Sequence, residues 1–216
     1  MFKKIKKIGV VVGLRREKES IPENNNIIVE SGYSLKAYSA TKKLIKQNVD
    51  LIVNFGFAGA LTNNLKNCEI LIPKNICNEN FRFKKNSNFL SVYFKKKIDE
   101  KVKTENLLTS KKILKKISKD KKVCAVDMEA YYVQKAASEE KIPFVSIKVV
   151  FDDIENPIPD LIINSLDSEG DIKYLKLFFK LLARPFDVLE VIRINKLYQK
   201  SIIKLKKVAN KVFLND

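Results

Sequence analysis

Short apolar runs rich in β-branched residues alternate along the chain with stretches whose apolar positions recur every three or four residues. Ile5 to Val12, ending at Gly13, predicts a buried strand, and Ile27 to Val29, stopped by Ser31-Gly32, a second. Leu35 to Gln47 has helical spacing, with Leu35, Tyr38, Leu44 and Ile45 on one side. Val49 to Phe55 reads as a third strand running into the small-residue stretch Gly56-Phe57-Ala58-Gly59, and Ile70 to Ile72, before Pro73, as a fourth. Asn75 to Asn106 is polar and basic with β-like pieces such as Leu90 to Phe94, and predicts an irregular region or a hairpin. Ser110 to Ser118 predicts a helix capped by Ser110. Val123 to Val126 is a strand, Met128 to Glu140 a helix, and Phe144 to Val150 a further strand.

Strands alternating with helices predict an α/β fold: a three-layer α/β/α sandwich with a central mixed, parallel-dominated sheet, plus C-terminal helices. Residues 1–170 are expected to form the main domain and 171–216 an amphipathic helical extension packed on it. In such sheets ligands sit at the carboxyl ends of strands. From Val191 onward, Ile194, Tyr198, Ile202, Leu205, Val208 and Val212 mark one helix face, opposed by Arg193, Lys196, Lys200, Lys204, Lys207 and Lys211. Upstream, Tyr174-Leu175, Leu177-Phe178-Phe179 and Leu181-Leu182 leave only a narrow stripe of Lys173, Lys176 and Lys180. That is more apolar surface than one core-facing side needs. Either both helices pack on the domain or a partner subunit, or they face an anionic membrane.

Composition narrows the chemistry. With 45% hydrophobic and 31% charged residues over 216 positions, the chain is globular and has material for a real core. The net charge of +17 rests on 42 basic residues of which only Arg15, Arg16, Arg82, Arg184 and Arg193 are arginine. The lysines are spread along the chain amid abundant Asn and Ile, without a nucleic-acid motif, so we read genome bias and no nucleic-acid partner. No uncharged apolar run reaches ~18 residues. Ile8 to Val12, after the basic Met1 to Lys7, is too short for a signal-peptide core. A cytoplasmic location is expected, peripheral at the inner membrane face if the C-terminal helices meet lipid. Cys68, Cys77 and Cys124 suit neither a disulfide framework nor a zinc site and read as small buried apolar residues. The absence of histidine excludes Ser–His and Cys–His catalysis and His-ligated metals, which leaves acid–base work to carboxylates.

Four constellations carry candidate chemistry. Asn54-Phe55-Gly56-Phe57-Ala58-Gly59-Ala60-Leu61 places small residues after a strand, as a tight turn or a close backbone approach to a ligand requires. Val126-Asp127-Met128-Glu129 sets acids at a helix start; the macrodipole accounts for Asp127 and less well for Glu129, which either belongs to the helix start or points into a cleft, where a carboxylate suits two vicinal hydroxyls. Lys148-Val149-Val150-Phe151-Asp152-Asp153 ends a buried strand in two acids, either loop caps or a proton donor. Gly13-Leu14-Arg15-Arg16-Glu17 is a charged helix start or the seat of a water-activating glutamate.

Taken in this order, the four segments, with Ile142-Pro143-Phe144, resemble the nucleoside phosphorylase superfamily of purine nucleoside phosphorylases and methylthioadenosine/S-adenosylhomocysteine nucleosidases, nearly end to end. Gly13-Leu14-x-x-Glu17, Phe57 within Gly-x-Ala-Gly, and the tail with Leu182-Ala183-Arg184-Pro185 are most similar to its hopanoid-associated phosphorylases, which are linked to removing adenine from an adenosylated hopane lipid. The resemblance implies cleavage of the N-glycosidic bond of a purine nucleoside, a 5′-substituted adenosine in particular, without metal or organic cofactor, by a homo-oligomer. Asp152 would protonate the leaving base, Glu17 position the attacking water, and Glu129 hold the ribose with Met128 against the sugar. Ala58, Gly59, Phe57 and Asp127 would line the pocket.

This sequence departs from the family pattern at Phe57, where Ser or Thr often stands near phosphate, at Phe151 in place of Ser, and at Lys148 in place of Arg. Phe57 favours water as nucleophile; Arg15 and Arg16, as a paired cluster, favour inorganic phosphate. The tandem Asp152-Asp153 leaves the identity of the acid open by one residue. A non-catalytic purine-binding module and a basic membrane-surface protein are the rival classes.

Overall fold

The structure is a computed structural model that describes residues 5–117, 122–167 and 170–214. At its centre are three parallel strands: β1 (Ile8–Val12), β3 (Leu51–Ala60) and β10 (Phe144–Val150), with β3 between the other two. β2 (Ile27–Ser31) extends the sheet parallel to β1. On the other side β4 (Ile70–Leu71) pairs antiparallel with β10, and β7 (Val102–Lys103) parallel with β4. The last residues of β3 turn toward a second half-sheet, where Gly59 and Ala60 pair antiparallel with β9 (Ala125–Asp127). That half continues through β8 (Leu107–Thr109) and β5 (Asn75–Cys77) to β6 (Phe83–Lys85). The sheet is mixed and mostly parallel, flanked by helices, as the alternation of elements predicts.

Period-2 alternation decides which side chains face which layer. Val10, Val12, Leu51, Val53, Phe55, Val145, Ile147 and Val149 face α3 (Asn88–Ile98) and α7 (Val188–Phe213). The intervening Val11, Ile52, Phe144 and Val150 face α2 (Lys36–Lys46) and α4 (Ala130–Glu139). On this second face the strands carry polar groups: Ser146 Oγ donates to Asn54 Oδ1 at 3.1 Å, and Asn54 Nδ2 to the Val11 carbonyl at 3.3 Å. A one-residue slip would break both bonds and turn the chain inside out, so the pair pins the register of three strands.

α7 belongs to the core. Leu205, Val208, Ala209 and Val212 are fully buried, and the Phe213 ring meets Phe55 edge-on at 5.4 Å between centroids. Each such apolar side chain contributes about 1.5–3 kcal/mol. The apolar face anticipated from Ile194 to Val212 therefore covers the sheet. α6 (Tyr174–Ala183) packs with the start of α7 and the short α5 (Asp160–Ile163) in a separate small cluster around Ile162, Leu177 and Ile194.

Three local expectations need correction. Leu90 to Phe94 lies in α3, because Leu90, Phe94 and Ile98 recur at four-residue steps into the core and Ser87 Oγ accepts from the Leu90 N–H at 3.3 Å; the hairpin is β5–β6 instead. Residues 110–117 form bends, not a helix, since the Ser110 N–H is bound to the Asp127 carbonyl at 2.9 Å and Leu114 and Ile117 pack beside Leu108 and Val126; Ser118 lies outside the described residues. Gly56 to Gly59 continue β3 instead of forming a turn.

Candidate active site

The carboxyl ends of β1, β3 and β10 lie together, and four acids gather there: Glu17 in α1 (Arg15–Lys18) after β1, Asp127 at the end of β9, Glu129 before α4, and Asp152 after β10. Each is only 4–7% exposed. Burying four acids is costly unless each is hydrogen-bonded, paired or protonated, and the four differ in how this is met.

Glu17 is held by backbone alone. Its Oε2 accepts from the Gly13 and Leu14 N–H groups, each at 2.8 Å, and its Oε1 from the Phe57 N–H at 2.7 Å. Burial pushes its carboxyl up, opposed by Lys148 and these three N–H groups. Asp127 takes three donors: Thr109 Oγ1 at 2.7 Å, the Ala130 N–H at 2.9 Å and Lys148 Nζ at 2.8 Å. Both its oxygens accept inside the protein, which ties the β9–α4 junction to Thr109 and Lys148. Glu129 accepts from the Ser34 N–H at 3.2 Å and lies 4.0 Å from Lys148 Nζ. Ser34 holds a left-handed φ of 54°, a conformation an ordinary residue adopts at a cost.

Lys148 joins these groups. It projects from the same face of β10 as Ser146 and is 1% exposed. Burial alone lowers an ammonium pKa, but Asp127, Glu129 and Glu17 outweigh that and leave it raised, hence charged. One cation serves three carboxylates, so full ionisation would leave a buried excess of negative charge. The Glu129 carboxyl is accordingly pushed up by burial, partly offset by Lys148, with Asp127 and Glu17 raising it further.

Asp152 stands outside that network. Burial pushes its carboxyl up to about 7, with the backbone N–H groups of Asp152 and Ile158 opposing. Its neighbour Asp153 is a loop anchor. Asp153 accepts from the backbone N–H groups of Asn67 (2.9 Å), Glu155 (3.1 Å) and Asn156 (2.9 Å), and from Asn156 Nδ2 (3.2 Å). Those bonds more than offset its burial and lower its pKa. The two adjacent acids are thus driven in opposite directions.

Three glycines give the acids room. A Cβ on Gly13 would lie 2.8 Å from Glu129 Oε1, and one on Gly59 2.8 Å from Asp152 Oδ1. A Cβ on Gly56, whose φ is 152°, would collide with the Glu17 carboxylate. The small residues of β3 therefore admit side-chain carboxylates. Ala58 between them is buried, its carbonyl accepting from the Phe151 N–H at 2.9 Å, and Met128 is half-buried. Phe57, Phe151 and Tyr198 form an aromatic triangle with centroids 5.7–6.1 Å apart.

The two arginines turn elsewhere. Arg15 is largely exposed, 3.7 Å from Glu19, and Arg16 lies over the Tyr198 ring at 5.4 Å and donates to Tyr174 Oη at 3.1 Å. A separate cavity of about 490 Å³, lined by Pro159, Leu161, Asn164, Lys180 and Arg184 among others, contains none of the four acids. Sequence reasoning missed Lys148 as the central cation, Ser34, and Tyr198. The one available signal was a lysine inside a strand otherwise read as buried.

The fold is one that solved nucleosidase structures share. Neither a protein-family model nor a curated protein sequence matches the chain. Among solved structures, it is similar to the 5′-methylthioadenosine/S-adenosylhomocysteine nucleosidase of Neisseria meningitidis bound to methylthio-immucillin-A, with TM-score 0.67, 14% identity, and 96% of this chain and 98% of that one covered. The Helicobacter pylori enzyme of the same name gives 0.66 at 16% identity, covering 97% and 98%. The futalosine hydrolase of H. pylori gives 0.63 at 18%, covering 96% and 98%. These likenesses establish the fold.

Proposed function

We propose that the chain is an N-glycosidase that hydrolyses a purine nucleoside. The observation that carries this reading is the gathering of Glu17, Glu129 and Asp152 at the carboxyl end of the sheet, each against a glycine that leaves it space, in a fold shared with nucleosidases. Asp152 retains a proton to about pH 7, as a group that protonates a departing base must. As the C–N bond breaks, its electron pair goes to the base, which takes the Asp152 proton, and the sugar develops oxocarbenium character. Glu129 holds the ribose hydroxyls and Glu17 orients water toward the anomeric carbon.

Water is favoured over phosphate. Arg15 pairs with Glu19, Arg16 is engaged by Tyr198 and Tyr174, Phe57 offers no hydroxyl, and Lys148, the buried cation among the acids, is committed to Asp127. Adenine as the base, a 5′-substituted ribose, a hopanoid-like substituent and a homo-oligomeric state are the finer parts of this reading, supported by the resemblance of Gly13-Leu14-x-x-Glu17 and the C-terminal tail.

The test is incubation with adenosine, methylthioadenosine, S-adenosylhomocysteine, inosine and an adenosyl-lipid analogue, with and without phosphate, followed by chromatography of base and sugar. Free base and free sugar, unaffected by phosphate, are expected. A phosphorylated sugar overturns the choice of water. A tightly bound purine nucleoside that is never cleaved replaces the enzyme with a binding module.

A further inference from the structure

The face of α6 that does not pack on the protein is apolar. Tyr174, Leu175, Phe178, Phe179 and Leu182 are all more than half exposed. At 3.6 residues per turn they share an arc of about 140°. The chain then enters a single 3-10 turn, Pro185–Asp187, in which Phe186 is 89% exposed, and Leu189 follows at 72%. Phe178, Phe179 and Phe186 alone present on the order of 300–500 Å² of aromatic surface, at ~150–250 Å² for a whole side chain. That matches the largest apolar patch of a whole ordinary monomer, about 300–600 Å², before the leucines are added.

The charge carried by α6 itself has one sign, while Asp160, Asp187 and Glu190 lie with Lys180 and Arg184 around the adjoining cavity. Between Asp171 and Asp187 the chain carries Lys173, Lys176, Lys180 and Arg184 and no acid. Lys173 and Lys176 lie apart from those acids, and a two-fold contact with a second copy through this face would set them against their own counterparts. An anionic headgroup layer meets both needs: apolar side chains enter the acyl boundary, and lysines beside them meet the headgroups. The basic face of α7 is not equivalent, because Lys204, Lys207 and Lys211 converge on Glu100 and Arg193 pairs with Glu190. Among the described residues no helix is long and apolar enough to cross a membrane, so the geometry is that of a helix lying on the surface.

We propose that α6 and the turn after it dock the protein on an anionic lipid bilayer. The docking element is tied to the candidate site at two points. Tyr174 Oη accepts from Arg16, the residue before Glu17, and Phe151, the residue before Asp152, packs in the cluster that seats α6. Docking thus sets the carboxylates beside the lipid surface, where a nucleoside with an apolar 5′ group would be presented. That last step alone rests on the nucleosidase reading.

The experiment is flotation of the full chain with vesicles of phosphatidylcholine alone or with 30–40% phosphatidylglycerol, roughly the anionic range that gives a substantial surface potential. No nucleoside is present, so the result is independent of catalysis. Truncation at Arg184 is unsuitable because it removes the core residues of α7; point variants serve instead. Wild type should float with anionic vesicles and little with neutral ones. Lys173→Gln/Lys176→Gln should weaken partitioning roughly 30-fold, at ~1 kcal/mol per cation. Phe178→Ser/Phe179→Ser should weaken it at least tenfold, with unchanged circular dichroism and melting. Equal flotation with both vesicle types, no flotation, or no effect of either double variant overturns the proposal. So does a phenylalanine variant that dissociates a wild-type oligomer while leaving vesicle binding intact, which would make the face a contact between copies.

Discussion

Asp152 and Asp153 are adjacent acids, and their environments require opposite responses to the same conservative change. Asp152 ionises in the fold near pH 7 in place of its ordinary 3.8. At ~1.4 kcal/mol per pKa unit, its ionised form costs the native state about 4 kcal/mol at pH 8. Because the folded value is the higher one, its contribution to stability is whole below pH 3.8 and is lost as pH rises through about 7. Asp152→Asn removes the charge and keeps the shape. It should raise stability at pH 8 by at least about 2 kcal/mol, or roughly 4–8 °C for a chain of this size. About 4 is the ceiling, since the new amide also needs partners. Between pH 8 and pH 5 the gain should fall by about 2.5 kcal/mol. Asp153→Asn should do the reverse, losing about 1.5–3 kcal/mol as an amide replaces a carboxylate that accepts four hydrogen bonds. Base release should fall roughly 10²–10³-fold in Asp152→Asn and stay within ~10-fold of wild type in Asp153→Asn. Urea melts at pH 5 and pH 8 together with initial rates settle the matter. An Asp152→Asn gain independent of pH, or a loss at pH 8, refutes the account of its burial; full activity in that variant refutes its role as acid.

With Asp152 as proton donor, the kcat/KM of the wild type should decline above about pH 7 as the acid ionises, and a rate–pH profile flat to pH 9 would remove it from that role. Lys148→Met should cost about 3–5 kcal/mol at pH 7 because Asp127 and Glu129 lose their buried cation, as urea titration would show; an unchanged midpoint would mean that the cation does not hold the cluster. Gly59→Ala places a methyl 2.8 Å from Asp152 Oδ1 and should depress kcat more than KM in a protein that still melts cooperatively; wild-type turnover would mean that Asp152 need not hold this position. Glu129→Gln should lower kcat/KM by roughly 10²–10³-fold, and a silent variant would take the ribose from Glu129.

The strands with clean period-2 or continuously apolar patterns were legible in the sequence. Phe144 to Val150 is β10 residue for residue, and Leu35 to Gln47 differs from α2 by one position at each end. Leu90 to Phe94 misled because five residues do not separate a strand from a helix, and the third member of the helical series, Ile98, lies outside that window. The acids of the site were all visible as residues, but their division of labour was not. Nothing in Asp152-Asp153 indicates that one carboxylate collects four donors from residues 67, 155 and 156, while its neighbour packs against Gly59. The glycines of Asn54 to Leu61 read as a turn because local pattern cannot show a carboxylate arriving from another element. The doubly apolar character of α6 was visible from its lysine spacing; that α7 is a core helix while α6 keeps a bare face emerges only from the packing.

Glu17 is gripped solely by main-chain N–H groups, from Gly13, Leu14 and Phe57. A peptide N–H persists under every substitution except proline, so two of its three supports do not depend on which side chain stands at positions 14 and 57. Exchanging Leu14 or Phe57 would change the packing around the glutamate while leaving the N–H groups that anchor it. The Phe57 ring belongs to the aromatic triangle with Phe151 and Tyr198, so the same residue gives its side chain to packing and its backbone to the acid. Substitutions at position 57 can therefore vary that triangle without removing the N–H group that holds Glu17.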